Sequence, residues 1–136
     1  MDIHAVLPVL AALLQSADAE VLSHACWALS HLCDGPSAHI SAVVGADVCW
    51  RLVQLLTHRS WRVTKPALRT IGNIVCAEDE TDYTQHILEA GAVPCLRQVI
   101  MYFLACLFVD YFVRILVVFV VFDILVSFCV LTRLII

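Results

Sequence analysis

Four side chains able to bind a metal crowd ten residues: His24, Cys26, His31 and Cys33. On a helix turning by about 100° per residue, the two imidazoles share one face and the two thiols occupy another. Four such ligands cannot converge on one ion, so zinc is not expected and buried structural cysteine is the default reading. The carboxylates are no better placed for chemistry. Asp34 and the run Glu78, Asp79, Glu80 fall at a helix end and in a joint, where solvated charges are expected rather than an acid/base pair. No Gly-rich phosphate loop, G-x-S-x-G elbow or H-E-x-x-H motif occurs anywhere in the chain. The expectation is a protein that is not an enzyme, without cofactor or catalytic residues.

Binding chemistry is the remaining option, and an internal repeat organises it. HACWALSHLCD at residues 24–34 recurs as PALRTIGNIVC at residues 66–76, a step of 42 that sets Trp27 opposite Arg69 and His31 opposite Asn73. VLPVLAALL at 6–14 falls on VCWRLVQLL at 48–56, again 42 on, and then on AVPCLRQVI at 92–100, a further 44 on. A period near 42 belongs to stacked helical solenoids of the armadillo or HEAT kind, which present a long concave surface to a partner.

Apolar spacing at i, i+3, i+4 and i+7 predicts helices near 3–15, 19–33, 37–45, 47–57, 61–76, 81–90 and 92–100. This is an all-α array with one full three-helix repeat at 37–79, flanked by partial repeats at 1–35 and 80–100. Ser16 and Asp18 should cap the second helix; Gly35 could take positive φ at its end, Pro36 stops it, and Ser37 could cap the next. Pro66 should make its helix start late or kink. Gly72, opposite Ser30, reads as small so that a neighbouring helix can pass close. Leu10, Leu13, Leu52, Leu55 and Leu96 are expected between helices.

The particular wording is narrower than the period. ACWALS followed two residues later by CDG, and PALRTIGNIV one period on, look like the central armadillo repeats of importin-α (karyopherin-α), the adaptor that carries nuclear-localisation peptides. The resemblance runs from about residue 6 to residue 100. It implies a right-handed armadillo solenoid fragment of about two to two and a half repeats. In that family the third helix of each repeat lines a groove with a Trp and, four residues on, an Asn. Stacked indoles form slots for peptide Lys side chains through apolar and cation–π contact, and the Asn amide, donor and acceptor together, holds peptide backbone.

Carried over residue by residue, the implied peptide-binding set is Trp27, His31, Arg69, Asn73 and His24. The match is incomplete: His31 replaces the Asn after Trp27, Arg69 replaces the next Trp, and His24 stands where the family commonly has an acid. The pairing marks the middle of the family's array, where flanking contacts are made. Taken without the repeat, Trp27 reads as core packing, and His24 and His31 as solvated residues on an open face. Trp50 and Trp61 match no groove position. The implied partners are basic nuclear-localisation peptides of cargo proteins. Importin-β is a partner in the full-length family, through a basic amino-terminal segment absent here, and the implied location is cytoplasm and nucleus. A generic armadillo interaction scaffold is the alternative.

Composition agrees and adds a break. Residues 1–100 hold six Lys plus Arg and ten Asp plus Glu, so the net charge of −4 sits entirely there and argues against a nucleic-acid partner. Seven Cys form no pairwise framework and the opening MDIHAVLPVL is no secretory signal, so free thiols in cytosol or nucleus are expected. All three Trp precede residue 100 and all six Phe follow it. Residues 101–136 form a hydrophobic tail, expected as a helix outside the repeat fold. It is long enough to span a bilayer, but Asp110, Arg114 and Asp123 interrupt it, so a membrane is not the expected partner and anchoring is the alternative. Phe, Leu, Ile, Met and Val share U at the second codon position, so a U-rich message read in any frame yields such a tail. That origin, by read-through or a misplaced gene boundary, is the expected one.

Overall fold

The computed structural model describes residues 3–77 and 83–135, and side chains among these up to residue 118. Glu78, Asp79 and Glu80, and the side chain of Asp123, lie outside the described residues. Seven helices follow in order: α1 (Ile3–Leu13), α2 (Ala19–Cys33), α3 (Ser37–Gly45), α4 (Cys49–Leu55), α5 (Trp61–Val75), α6 (Tyr83–Glu89) and α7 (Ala92–Ile135). No strand occurs among the described residues. The chain divides into two compact units, Met1–Val99 and Ile100–Ile136.

In the first unit, α2 and α5 form the most extensive helix pair. Along α2, Ser23, Cys26 and Ser30 meet Arg62, Thr70 and Asn73 of α5 in the same order, so the two run parallel and side by side. Both start and end 42 residues apart, which is the sequence repeat seen as packing. Leu14, Leu29, Leu52, Val63 and Ile74 are sealed at the centre of one continuous core. Arg51 of α4 donates from Nε to the Leu14 carbonyl at 2.9 Å, supplying a partner to the open end of α1. The turns before α4 and α7 each use a left-handed residue, Asp47 at φ 54° and Gly91 at φ 83°. They stand 44 apart, and Asp and Gly are the types that tolerate this conformation.

Several local expectations change. Ser16 and Asp18 do cap α2: Ser16 Oγ accepts from the Asp18 N–H at 3.1 Å and Asp18 Oδ1 from the Glu20 N–H at 2.8 Å. Ser37 does not cap α3; it is the first helical residue, after Pro36, with no side-chain cap bond. Gly35 is not at positive φ. Its need is space, since a Cβ there would stand 2.9 Å from His39 Nδ1 and 3.2 Å from the Leu32 carbonyl. Leu10, Leu52 and Leu55 are buried and Leu96 packs against the core, but Leu13 is 40% exposed, and Leu14 beside it is the buried residue at the end of α1.

Pro66 neither delays nor shortens α5, which already begins at Trp61. A proline at 66 has no N–H for the carbonyl of Arg62. Ser23 on α2 supplies the missing donor, its Oγ lying 2.9 Å from that oxygen. Gly72 is exposed, and a Cβ there would meet nothing within 4 Å, so no close helix approach requires it.

The second unit is the continuation of α7. Residues 100–118 are exposed throughout, and Asp110 pairs with Arg114 one turn on at 3.0 Å. The helix was expected to stop near residue 100. It continues because no Gly or Pro follows Pro94 and no residue supplies a C-cap. Ala92–Val118, with mean hydropathy 2.1, is long and apolar enough to cross a membrane.

Candidate functional site

Trp27 and His31 stand one turn apart on α2 and stack, with ring centroids 6.0 Å apart and planes inclined by 26°. Trp27 is half-buried and His31 exposed, so the indole is neither core nor free. Arg69 reaches across from α5 and places its guanidinium 5.7 Å from the indole centroid. This is cation–π distance. Its Nη2 also bonds Asp34 Oδ2 at 2.7 Å.

Asn73, one turn beyond Arg69, is tied to the same carboxylate. Its Nδ2 donates to Asp34 Oδ1 at 2.6 Å and to the Ser30 carbonyl at 3.2 Å. An amide has two N–H donors and both are engaged, leaving its carbonyl oxygen for any ligand. His31 Nδ1 lies 3.7 Å from Asp34 Oδ2, close enough to add an ion pair when protonated. Trp27, His31, Arg69 and Asn73 thus converge, and the hub is Asp34.

Asp34 was expected to be a solvated charge at a helix end. It is exposed at the C-cap of α2, but it also has partners that the expectation did not include: Arg69 and Asn73 of α5 close on the carboxylate. A signal was present, because residues 27, 31 and 34 share one helical face at i, i+4 and i+7. What α5 brings to that face lies 35 and 39 residues away in sequence. His24 does not join this cluster. It is exposed, its ion-pair contact is with Glu20 at 3.9 Å, and it sits at the other end of α2 beside Ser60 and Arg62.

Beside the cluster lies an open cavity of about 410 Å³, lined by Cys33, Asp34, Ile40, Asn73 and Cys76 among others. Cys26 and Cys33 are buried, and burial pushes their thiols up to about 12. Cys49 is raised by burial to about 11. These thiols are packing groups at neutral pH. The cysteines and histidines of α2 separate as their spacing requires, with Cys26 and Cys33 in the core and His24 and His31 exposed. Trp50 and Trp61 are exposed, away from this cluster.

Residues 3–34 match the family described as Armadillo/beta-catenin-like repeat. The chain is 51% identical over 95 residues to importin subunit alpha-7 of Arabidopsis thaliana, an alignment covering 70% of this chain and 18% of that protein. It is 56% identical over 90 residues to importin subunit alpha-1a of Oryza sativa subsp. japonica, covering 66% and 17% respectively. Among solved structures, a designed armadillo repeat protein in complex with the peptide (KR)4 superposes with a TM-score of 0.63 at 34% identity, over 68% of this chain and 38% of that one. The chain therefore has an armadillo-repeat fold similar in sequence to importin α, and it spans less than a fifth of the length of these relatives.

Proposed function

We propose that residues 3–99 form a section of a peptide-binding groove in a nuclear-import adaptor, shuttling between cytoplasm and nucleus, with basic nuclear-localisation peptides of cargo as ligands. The observation that carries this reading is the convergence of Trp27, His31, Arg69 and Asn73 on one accessible face of the parallel α2–α5 pair. Nothing in the cluster is arranged to make or break a bond; it offers an aromatic plane, an amide carbonyl and a shared carboxylate. Those groups grip an extended chain. The ten acidic residues against six basic ones among residues 1–100 favour a basic ligand over an acidic one.

The test grafts residues 3–99 into a complete armadillo array and titrates a bipartite Lys/Arg-rich peptide. Trp27→Ala combined with Asn73→Ala should weaken binding by about 1–2 kcal/mol, as flanking rather than central contacts do. An unchanged affinity would favour a generic armadillo scaffold. Preference for an acidic or phosphorylated peptide would remove the adaptor reading.

A second reading, membrane anchoring through α7, has its own observation. Residues 100–118 expose apolar side chains on every face, and the charges of Asp110 and Arg114 are paired. At about 1.5 Å per residue, twenty residues of such a helix cover the roughly 30 Å of a bilayer core. Flotation of the full chain with phosphatidylcholine vesicles, resistant to alkaline carbonate, is the expected result of anchoring. Recovery in the soluble fraction would exclude it.

A further inference from the structure

We propose that α7 associates with a second copy of itself inside a lipid bilayer, parallel and in register, through the face that carries Asp110 and Arg114. The proposal rests on the membrane-anchoring reading given above and names the partner of that segment. Asp110 and Arg114 are the only charged residues between 100 and 118. Counted from Ile100, they lie about 15 and 21 Å along the helix, so a bilayer core of roughly 30 Å that begins there holds both near its middle. Ionisable groups at that depth are expensive to leave facing lipid, and they turn towards protein and pair.

The contact within one helix satisfies only part of the two groups. Arg114 Nε meets Asp110 Oδ2 at 3.0 Å, which engages one guanidinium nitrogen and one carboxylate oxygen, and the side chains stay 78% and 63% exposed. A second α7 supplies what is missing, because opposite charges one turn apart on one face make that face complementary to itself. In a parallel two-fold pair, each Arg114 stands one turn beyond the Asp110 of the other copy. A helical side chain leans towards the N-terminus, so each guanidinium returns to the level of both carboxylates. Two charges of each sign then form one neutral layer between the helices. Copies inserted by the same route share one orientation, which selects the parallel pair. The neighbouring residues divide accordingly. Phe103, Cys106 and Val117 share the charged side, whereas Phe108, Phe112 and Ile115 fall on the opposite side, left for lipid.

Cys106 makes the pairing measurable, since it is exposed and stands one turn before Asp110 on the same side. The full chain carrying Cys76→Ser, Cys95→Ser and Cys129→Ser is reconstituted in phosphatidylcholine vesicles, floated, and oxidised with copper phenanthroline. Cys26, Cys33 and Cys49 are buried in the first unit, so a covalent dimer should form through Cys106 of the two copies. Moving the thiol to the opposite side, by Cys106→Ser with Phe108→Cys, should give little dimer. Asp110→Leu combined with Arg114→Leu makes residues 100–118 wholly apolar, so that variant should float at least as well. Its dimer yield should nevertheless fall about five- to tenfold, the loss expected from removing polar contacts between membrane helices. Floating chain without a Cys106 dimer overturns the self-association and leaves the anchoring reading standing. So does a dimer formed equally from position 108, or one undiminished in the double Leu variant. Recovery of the unmodified chain in the soluble fraction overturns both, because no α7 is then in the bilayer to pair.

Discussion

Removing the Ser23 hydroxyl should destabilise the repeat unit through a proline 43 residues away. Pro66 lies in the interior of α5 and leaves the Arg62 carbonyl without its intrahelical partner, and Ser23 Oγ fills that vacancy at 2.9 Å. A net hydrogen bond contributes about 0.5–1.5 kcal/mol, and this one is exposed, so Ser23→Ala should cost about 0.5–1 kcal/mol. The sharper test is a double-mutant cycle. With Pro66→Ala, residue 66 regains an N–H four residues after Arg62, the carbonyl is satisfied within α5, and loss of the Ser23 hydroxyl should then cost nearly nothing. The expected coupling is therefore about 0.5–1 kcal/mol, whatever Pro66→Ala does alone by relieving the ring clash and emptying a buried site. Urea unfolding followed by Trp fluorescence reads the first unit only, because Trp27, Trp50 and Trp61 all precede residue 100. Equal costs of Ser23→Ala in both backgrounds would refute the argument that the serine serves the proline.

Gly72→Ala should stabilise the same unit by about 1 kcal/mol, because the site is helical and a Cβ meets nothing within 4 Å, and the urea midpoint measures it. Arg51→Ala should cost about 1–2 kcal/mol by removing the partly buried donor to the Leu14 carbonyl, with increased amide exchange at the end of α1 as the local readout. Cys26 and Cys33, raised by burial to about 12, and Cys49, raised to about 11, should resist a thiol reagent at pH 8, while exposed Cys76 reacts; mass spectrometry of labelled peptides decides this. The same shifts carry a sign for stability. Each folded thiol holds its proton above the 9.0 at which it ionises when unfolded, so the unit should be unaffected below pH 9 and lose stability as pH rises from about 9 towards 11–12.

The sequence alone determined the helices and their register. Apolar spacing places α2 to the residue and α5 to within one residue at its end, and the 42-residue step that sets Trp27 opposite Arg69 is the offset at which the helices pack. It also separates thiols from imidazoles on α2, since both follow from the period of one helix. Tertiary structure decided whatever depends on a second helix. Gly72 reads as a contact position in the repeat and proves open. Pro66 reads as a break and is accommodated, because a hydroxyl on α2 reaches the carbonyl it strands. Asp34 reads as a solvated helix end, yet Arg69 and Asn73 close on it across 35 and 39 residues of chain. The physical reason is common to all three. Periodicity reports which residues of one helix share a face, whereas hydrogen-bond and cation–π partners depend on side-chain reach across an interface, a distance of a few ångströms that no spacing along the chain records.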